Sequence, residues 1–298
     1  MTAQPENAGY LTVGAGYRVY YQTVGSGSRL LLVPNGPILL EPFRRLAKNR
    51  TIVFYDVRNR GLSDPVEDPA YLARGIHHDV DDIEAIRRHL GADTVDLIGH
   101  SYLGLMVVLY AMKYPSRAGR VVQIGPQQPD ARKIYPRELT GADYVLAETF
   151  AAIVQLDKDL AAADAVERCR KLWEALRRIY VVNAADVGKL DWMRCELANE
   201  RNFRDYWVKH LMPSIQALRL GPEDYAKAIA PVLTVHGRCD RAAPYGGARD
   251  WTMALPNARL LLLENAGHAP WIEAPEVLDA IAMFLDGEWP PGAQPVSG

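Results

Sequence analysis

The stretch Val95-Asp96-Leu97-Ile98-Gly99-His100-Ser101-Tyr102-Leu103-Gly104 decides how this chain is read. A short apolar run with one acidic interruption predicts a buried strand over 94–98. The run breaks at Gly99-His100-Ser101, and an apolar helical pattern follows at once through Leu105, Met106, Val107, Val108, Tyr110 and Ala111. A serine between a strand and a helix is pushed outward on a tight turn. Its hydroxyl then stands above a helix N-terminus, whose dipole and free N–H groups favour negative charge.

Working outward, strand and helix signals alternate. Residues 18–24, 30–33, 51–55, 94–98 and 120–124 read as strands, and 38–48 and 80–90 have helical spacing. Such alternation predicts an α/β fold with a mostly parallel sheet covered by helices on both faces. The alternation fails between about Pro126 and Pro222, where helices are expected over 142–155, 161–182, 187–197 and 203–218. It resumes with strands over 232–235 and 259–263 and a helix over 275–285. The expected division is a core of residues 1–126 and 227–298 interrupted by a helical cap of residues 127–226. The Pro- and Gly-rich tail from Pro290 to Gly298 is expected to be loose.

Composition narrows the function classes. Half the residues are apolar (49%), 23% are charged, and the formal net charge is −2, which argues against electrostatic recruitment to nucleic acid or an anionic membrane. No run approaches the roughly 20 apolar residues of a membrane-spanning helix, and Met1 to Tyr10 lacks the pattern of a signal peptide. Cys169, Cys195 and Cys239 are odd in number and widely separated, so neither a disulfide framework nor a metal pair is expected, and a cytoplasmic location follows. His77-His78-Asp79 opens a helix without a third ligand at useful spacing, so no metal is expected. Gly14-Ala15-Gly16 and Gly25-Ser26-Gly27 precede no helix and fail as nucleotide loops.

A serine hydroxyl needs a base, and the base needs an orienting acid. Two late loops, each following a predicted strand, offer them: Asp240 in His236-Gly237-Arg238-Cys239-Asp240, and His268 in Glu264-Asn265-Ala266-Gly267-His268. The C-terminal ends of parallel strands share one edge of the sheet, so these residues converge on Ser101. Asp130, after the 120–124 strand, is the rival acid. His100 and His236 are read as structural.

With these three motifs in that order and spacing, the chain resembles a serine hydrolase of the α/β-hydrolase fold with a helical cap. The loop Asp56-Val57-Arg58-Asn59-Arg60-Gly61-Leu62-Ser63-Asp64 resembles that family's loop after the fourth strand, where its role is mostly architectural. The resemblance implies Ser101 as nucleophile, His268 as general base and then acid, and Asp240 as orienting acid. It implies an oxyanion hole from the N–H groups of Tyr102 and Gly36, in Pro34-Asn35-Gly36-Pro37; a register slipped by one would nominate Pro37, which has no N–H. The Asn35 amide is a further donor. Two departures stand out: Leu103 replaces the second glycine of Gly-x-Ser-x-Gly, and Pro34 replaces a family histidine.

Trp173, Trp192, Phe203, Tyr206 and Trp207 dot the cap region, and some are expected to line an apolar pocket. Glu196 and Glu200 are candidates for holding a substrate amine, as cap acids do in aminopeptidases of this fold; a solvated helix face is the alternative. The expected function is cofactor-free hydrolysis of a small carboxylic ester by a carboxylesterase-like enzyme. The alternatives are a proline iminopeptidase-like aminopeptidase or amidase, and a ligand-sensing receptor on the same fold. Lactone, C–C bond and acyl-transfer chemistry use the same triad.

Overall fold

A computed structural model describes residues 7–34, 36–141, 146–190 and 192–297. Among the described residues eight strands form one sheet: β1 (Asn7–Thr12), β2 (Arg18–Val24), β3 (Arg29–Pro34), β4 (Arg50–Tyr55), β5 (Val95–His100), β6 (Ala118–Ile124), β7 (Val232–Gly237) and β8 (Ala258–Leu263). Their spatial order is β1-β2-β4-β3-β5-β6-β7-β8. The first two pairings are antiparallel and the rest parallel. The chain steps from β3 to β4 on one side and then to β5 on the other. The segments leaving β3 and β5 are therefore neighbours, at the switch point where open α/β sheets bind ligands.

The strands are apolar on both faces because both are covered. Leu32, Val53, Leu97 and Val121 face one cluster, with the helices Ile76–His89 and Tyr102–Lys113. Leu31, Val33, Ile52, Ile98 and Val122 face the other, with Val277–Asp286. The helix Tyr102–Lys113 is buried along almost its whole length, which suits a sequence with no polar stripe.

Between β6 and β7 lie the helices Leu146–Asp159, Ala165–Leu176 and Ala198–Tyr206, the last running through a π-helical turn, Trp207–Leu211, into Met212–Gln216. The expected start of the first helix, 142–145, lies outside the described residues. Asp164 sets the start of the second by accepting from the Val166 and Glu167 N–H groups. The helix expected over 187–197 is not formed: a 3₁₀ turn ends at Lys189 and Trp192–Leu197 is irregular. Leu190 and Trp192 are both buried in the same cluster.

Two further expectations are corrected. Cys169 and Cys195 form a disulfide, with Cα atoms 5.8 Å apart. Helix packing closes the 26-residue separation, and the cysteine argument for a reducing compartment falls with it. The tail is also pinned: Gln294 exchanges backbone hydrogen bonds with Leu260 of β8, and Ala293 is buried. Among the described residues no helix is long and apolar enough to cross a membrane.

Candidate active site

Ser101 leaves β5 at φ 60° and ψ −128°. Such a conformation is strained for a non-glycine residue and persists only when the surroundings hold it. They do: the Ser101 N–H donates to the Ile124 carbonyl at 2.9 Å, and the Ser101 carbonyl accepts from Gly104 and Gln127. The close approach of strand and helix falls on Gly99, where a Cβ would lie 2.1 Å from the Leu103 carbonyl oxygen. Leu103 itself is buried in the core, so the elbow accommodates it without a second glycine at that position.

Asp240 and His268, on the loops after β7 and β8, are each only 1% exposed. One Asp240 oxygen accepts from the Ala242 and Ala243 N–H groups at 2.7 and 2.8 Å. The other lies 2.8 Å from His268 Nδ1. A carboxylate only accepts, so Nδ1 carries a proton, and in the neutral imidazole Nε2 is then the acceptor. Burial works to raise the Asp240 carboxyl, but the His268 ring and its hydrogen bond hold it below the ordinary carboxylate range.

Gly125, which follows β6 at φ +49°, links this pair to the serine: its neighbour Ile124 binds the Ser101 N–H, and a Cβ on it would come within 2.9 Å of His268 Nδ1 and 3.2 Å of an Asp240 oxygen. The three candidate residues are thus brought to one short stretch of the sheet edge. Sequence reasoning missed Gly125; the signal was a glycine directly after an apolar strand.

The neighbouring histidines differ in role. His100 Nε2 donates to the His268 carbonyl at 2.9 Å, and the two rings are 4.6 Å apart. Burial, reinforced by the His268 ring, pushes His100 down to about 3, so it stays neutral. His236 is buried 3.8 Å from Asp240, and burial lowers it as well. His78 is held inside by the Tyr71 carbonyl and the Tyr206 hydroxyl. Asp130, the rival acid, is half-exposed and paired with Arg132.

Tyr102 and Gly36 open the helices Tyr102–Lys113 and Gly36–Phe43, so both N–H groups fall in a first turn, where no intrahelical acceptor exists. Each of these helices follows one of two paired strands, β5 and β3. Asn35 lies outside the described residues.

Aromatic rings surround His268. Tyr180, not singled out from the sequence, meets the imidazole edge-on at 4.9 Å. Trp192 packs on Tyr180, Trp173 and Trp271. Trp207 and Phe203 pack on Tyr102, next to the serine. The two carboxylates considered for an amine are otherwise engaged. Glu196 is exposed and paired with Arg194. Glu200 is buried, takes a two-point contact from Arg60 at 2.9 and 3.0 Å, and accepts from the Gly61 N–H at 2.7 Å. Burial alone would raise Glu200, but Arg60 holds it below its ordinary value. A groove lined by Asn59, Val66, Asn199, Tyr206 and His210 opens beside this pair.

Fold and geometry define a strand–serine–helix elbow after β5 and a hydrogen-bonded aspartate–histidine pair on the loops after β7 and β8. Residues 39–275 match the family model described as alpha/beta hydrolase fold, and the chain belongs to that family. It is 27% identical to a proline iminopeptidase of Xanthomonas citri over 95% of this chain and 96% of that protein. It is 22% identical to a 2-hydroxy-6-oxononadienedioate/2-hydroxy-6-oxononatrienedioate hydrolase of Dechloromonas aromatica, over 93% and 89%. Its structure resembles an esterase from Exiguobacterium antarcticum with a TM-score of 0.73 at 16% identity, covering 94% of this chain and all of that one.

Proposed function

We propose that this hydrolase-family chain is a serine carboxylesterase acting on small esters. Ser101 Oγ attacks the ester carbonyl as His268 Nε2 takes its proton. The oxyanion is held by the Tyr102 and Gly36 N–H groups. Collapse expels the alcohol, which leaves with the proton from His268. Water, activated by the same nitrogen, then releases the acid from the acyl-enzyme. Asp240 holds the imidazole in the tautomer this needs. The rings of Trp173, Trp192, Phe203 and Trp207 are assigned to an apolar substrate pocket, and no cofactor takes part.

One observation carries the choice of ester over peptide: Glu196 and Glu200 already have cationic partners, so neither offers a free charge to a substrate ammonium. The proline iminopeptidase relative supports an aminopeptidase as the second reading. Side-by-side kinetics on p-nitrophenyl acetate, p-nitrophenyl butyrate and proline p-nitroanilide separate them, with Ser101→Ala as control. Ester turnover sustained over many cycles and lost in Ser101→Ala is expected. Faster anilide turnover would reverse the ranking, and a single burst ending in a trapped adduct would favour a ligand-sensing receptor.

A further inference from the structure

The loop that carries His268 is gripped on both sides of the imidazole by a strap of the helical insertion, Tyr180-Val181-Val182-Asn183. After His268, the Ala269 N–H donates to the Tyr180 carbonyl at 2.9 Å. Before it, the Gly267 N–H donates to one oxygen of Glu273 at 2.6 Å. The other Glu273 oxygen accepts from two strap amides, Val182 at 2.5 Å and Asn183 at 3.1 Å. One carboxylate therefore ties the strap to the residue preceding His268. The fit leaves no slack, because a Cβ on Gly267 would lie 3.0 Å from the Tyr180 oxygen and 3.2 Å from the Val181 Cα. Arg241, next to Asp240, adds a contact to the Val181 carbonyl at 3.3 Å.

We propose that Glu273 is a positioning residue: it latches the Tyr180–Asn183 strap onto the His268 loop and so fixes the imidazole and the Tyr180 ring that lies against it. This rests on the serine-hydrolase reading of the site. The chemistry of the latch demands a carboxylate. Three N–H donors converge on two oxygens, and both oxygens must accept. A carboxamide of the same shape turns an NH₂ group toward either Gly267 or the strap, where it meets another donor. The latch must then open on one side. Small displacements of a catalytic group are expensive: a shift of about 1 Å can cost about 10²-fold in rate.

Glu273→Gln is the test, read in the full-length chain. Thermal melting first establishes that the variant folds. With p-nitrophenyl acetate, kcat is expected to fall by about 10-fold to 10²-fold, with KM little changed and the acid limb of the kcat/KM profile displaced. A role confined to stability would lower the melting temperature and leave kcat and the pH profile in place, and that result overturns the proposal.

Two readouts do not depend on ester turnover. Isotope-labelled histidine shows the His268 Nδ1 proton by NMR, and its exchange with solvent should quicken in Glu273→Gln. In the unmodified protein, which needs no variant to fold, the Gly267 and Val182 amides should resist hydrogen exchange. Rapid exchange of those amides, or an unchanged His268 resonance in the variant, sinks the latch. If instead the Ser101→Ala and His268→Ala variants keep full ester activity, the catalytic reading fails while the exchange data still decide the latch.

Discussion

Arg60 and Glu200, 140 residues apart, form a buried two-point ion pair between the loop after β4 and the helix Ala198–Tyr206. The Gly61 N–H completes the carboxylate's partners, and the Arg60 guanidinium lies 3.9 Å from the Phe203 ring centre. Breaking such a pair from one side strands a buried charge. Glu200→Ala should therefore destabilise the chain by about 3–5 kcal/mol, measured by urea unfolding, and the Arg60→Met/Glu200→Met double variant should lose less than Glu200→Ala. A cost under about 1 kcal/mol for Glu200→Ala would mean that the pair behaves like a solvated one.

Asp240→Asn tests the tautomer. The Ala242 and Ala243 N–H groups hold one side-chain oxygen in place, so the amide NH₂ must face His268 Nδ1. The imidazole then carries its proton on Nε2 and has no lone pair there for Ser101. Turnover of p-nitrophenyl acetate should fall by about 10³–10⁴ with KM nearly unchanged, as expected for a triad acid replaced by its amide. A loss of less than about tenfold would remove Asp240 from the mechanism.

The candidate residues read from the sequence share one property: each lies on the segment that follows a short apolar run. Ser101, Asp240 and His268 follow β5, β7 and β8, and parallel topology forces the C-terminal ends of those strands to one edge. What escaped depends on helix packing, for which a single sequence carries no local mark. Cys169 and Cys195 meet only because the helix Ala165–Leu176 lies against the irregular Trp192–Leu197 segment. The apolar spacing of Val187, Leu190 and Leu197 imitates a helix, but Trp192, off that spacing, is buried as well. Glu200 looks like a solvated helix residue until Arg60 is brought to it. Glu273, five residues after His268, was visible but had no partner until the strap was placed.

The elbow makes a contrast between two glycines. A methyl group at Gly99 would strike backbone, 2.1 Å from the Leu103 oxygen and 2.8 Å from the Gly104 nitrogen, and neither can move without opening the turn. At Gly104 the nearest atoms stand farther off: the Cβ atoms of Pro126 and Gln123 at 3.1 and 3.3 Å and the Gly99 carbonyl oxygen at 3.3 Å. Gly99→Ala should cost about 3 kcal/mol or more. Gly104→Ala should cost about 1 kcal/mol or less, since the gain in helix propensity offsets the crowding. Melting temperatures compare the two, and equal losses would show that the turn is looser than these distances imply.

The Cys169–Cys195 bond closes a 26-residue loop, for which chain entropy gives about 3.5 kcal/mol of stabilisation. The Cys169→Ala/Cys195→Ala variant should lose stability in that range, measured by urea unfolding. Alkylation of the denatured chain should modify Cys239 alone before reduction and all three cysteines after it. Three adducts without reductant would show that the protein as purified does not hold the bond.

Asp56, at the end of β4, gives the stability a dependence on pH. It is 4% exposed and accepts from the Leu62 N–H, yet burial outweighs that bond and raises the carboxyl to about 6. In the unfolded chain the same group titrates near about 3.9. Between these values the folded state binds the extra proton, so stability falls as pH rises through the window. Above about 6 the ionised, buried group costs about 2–3 kcal/mol relative to pH 4. Asp56→Asn keeps an acceptor for Leu62 and cannot ionise. Its stability relative to the unmodified chain should therefore improve by about 2–3 kcal/mol between pH 4 and pH 7, followed by urea unfolding at each pH. A difference that stays constant across that range would show that Asp56 keeps an ordinary carboxylate titration in the fold.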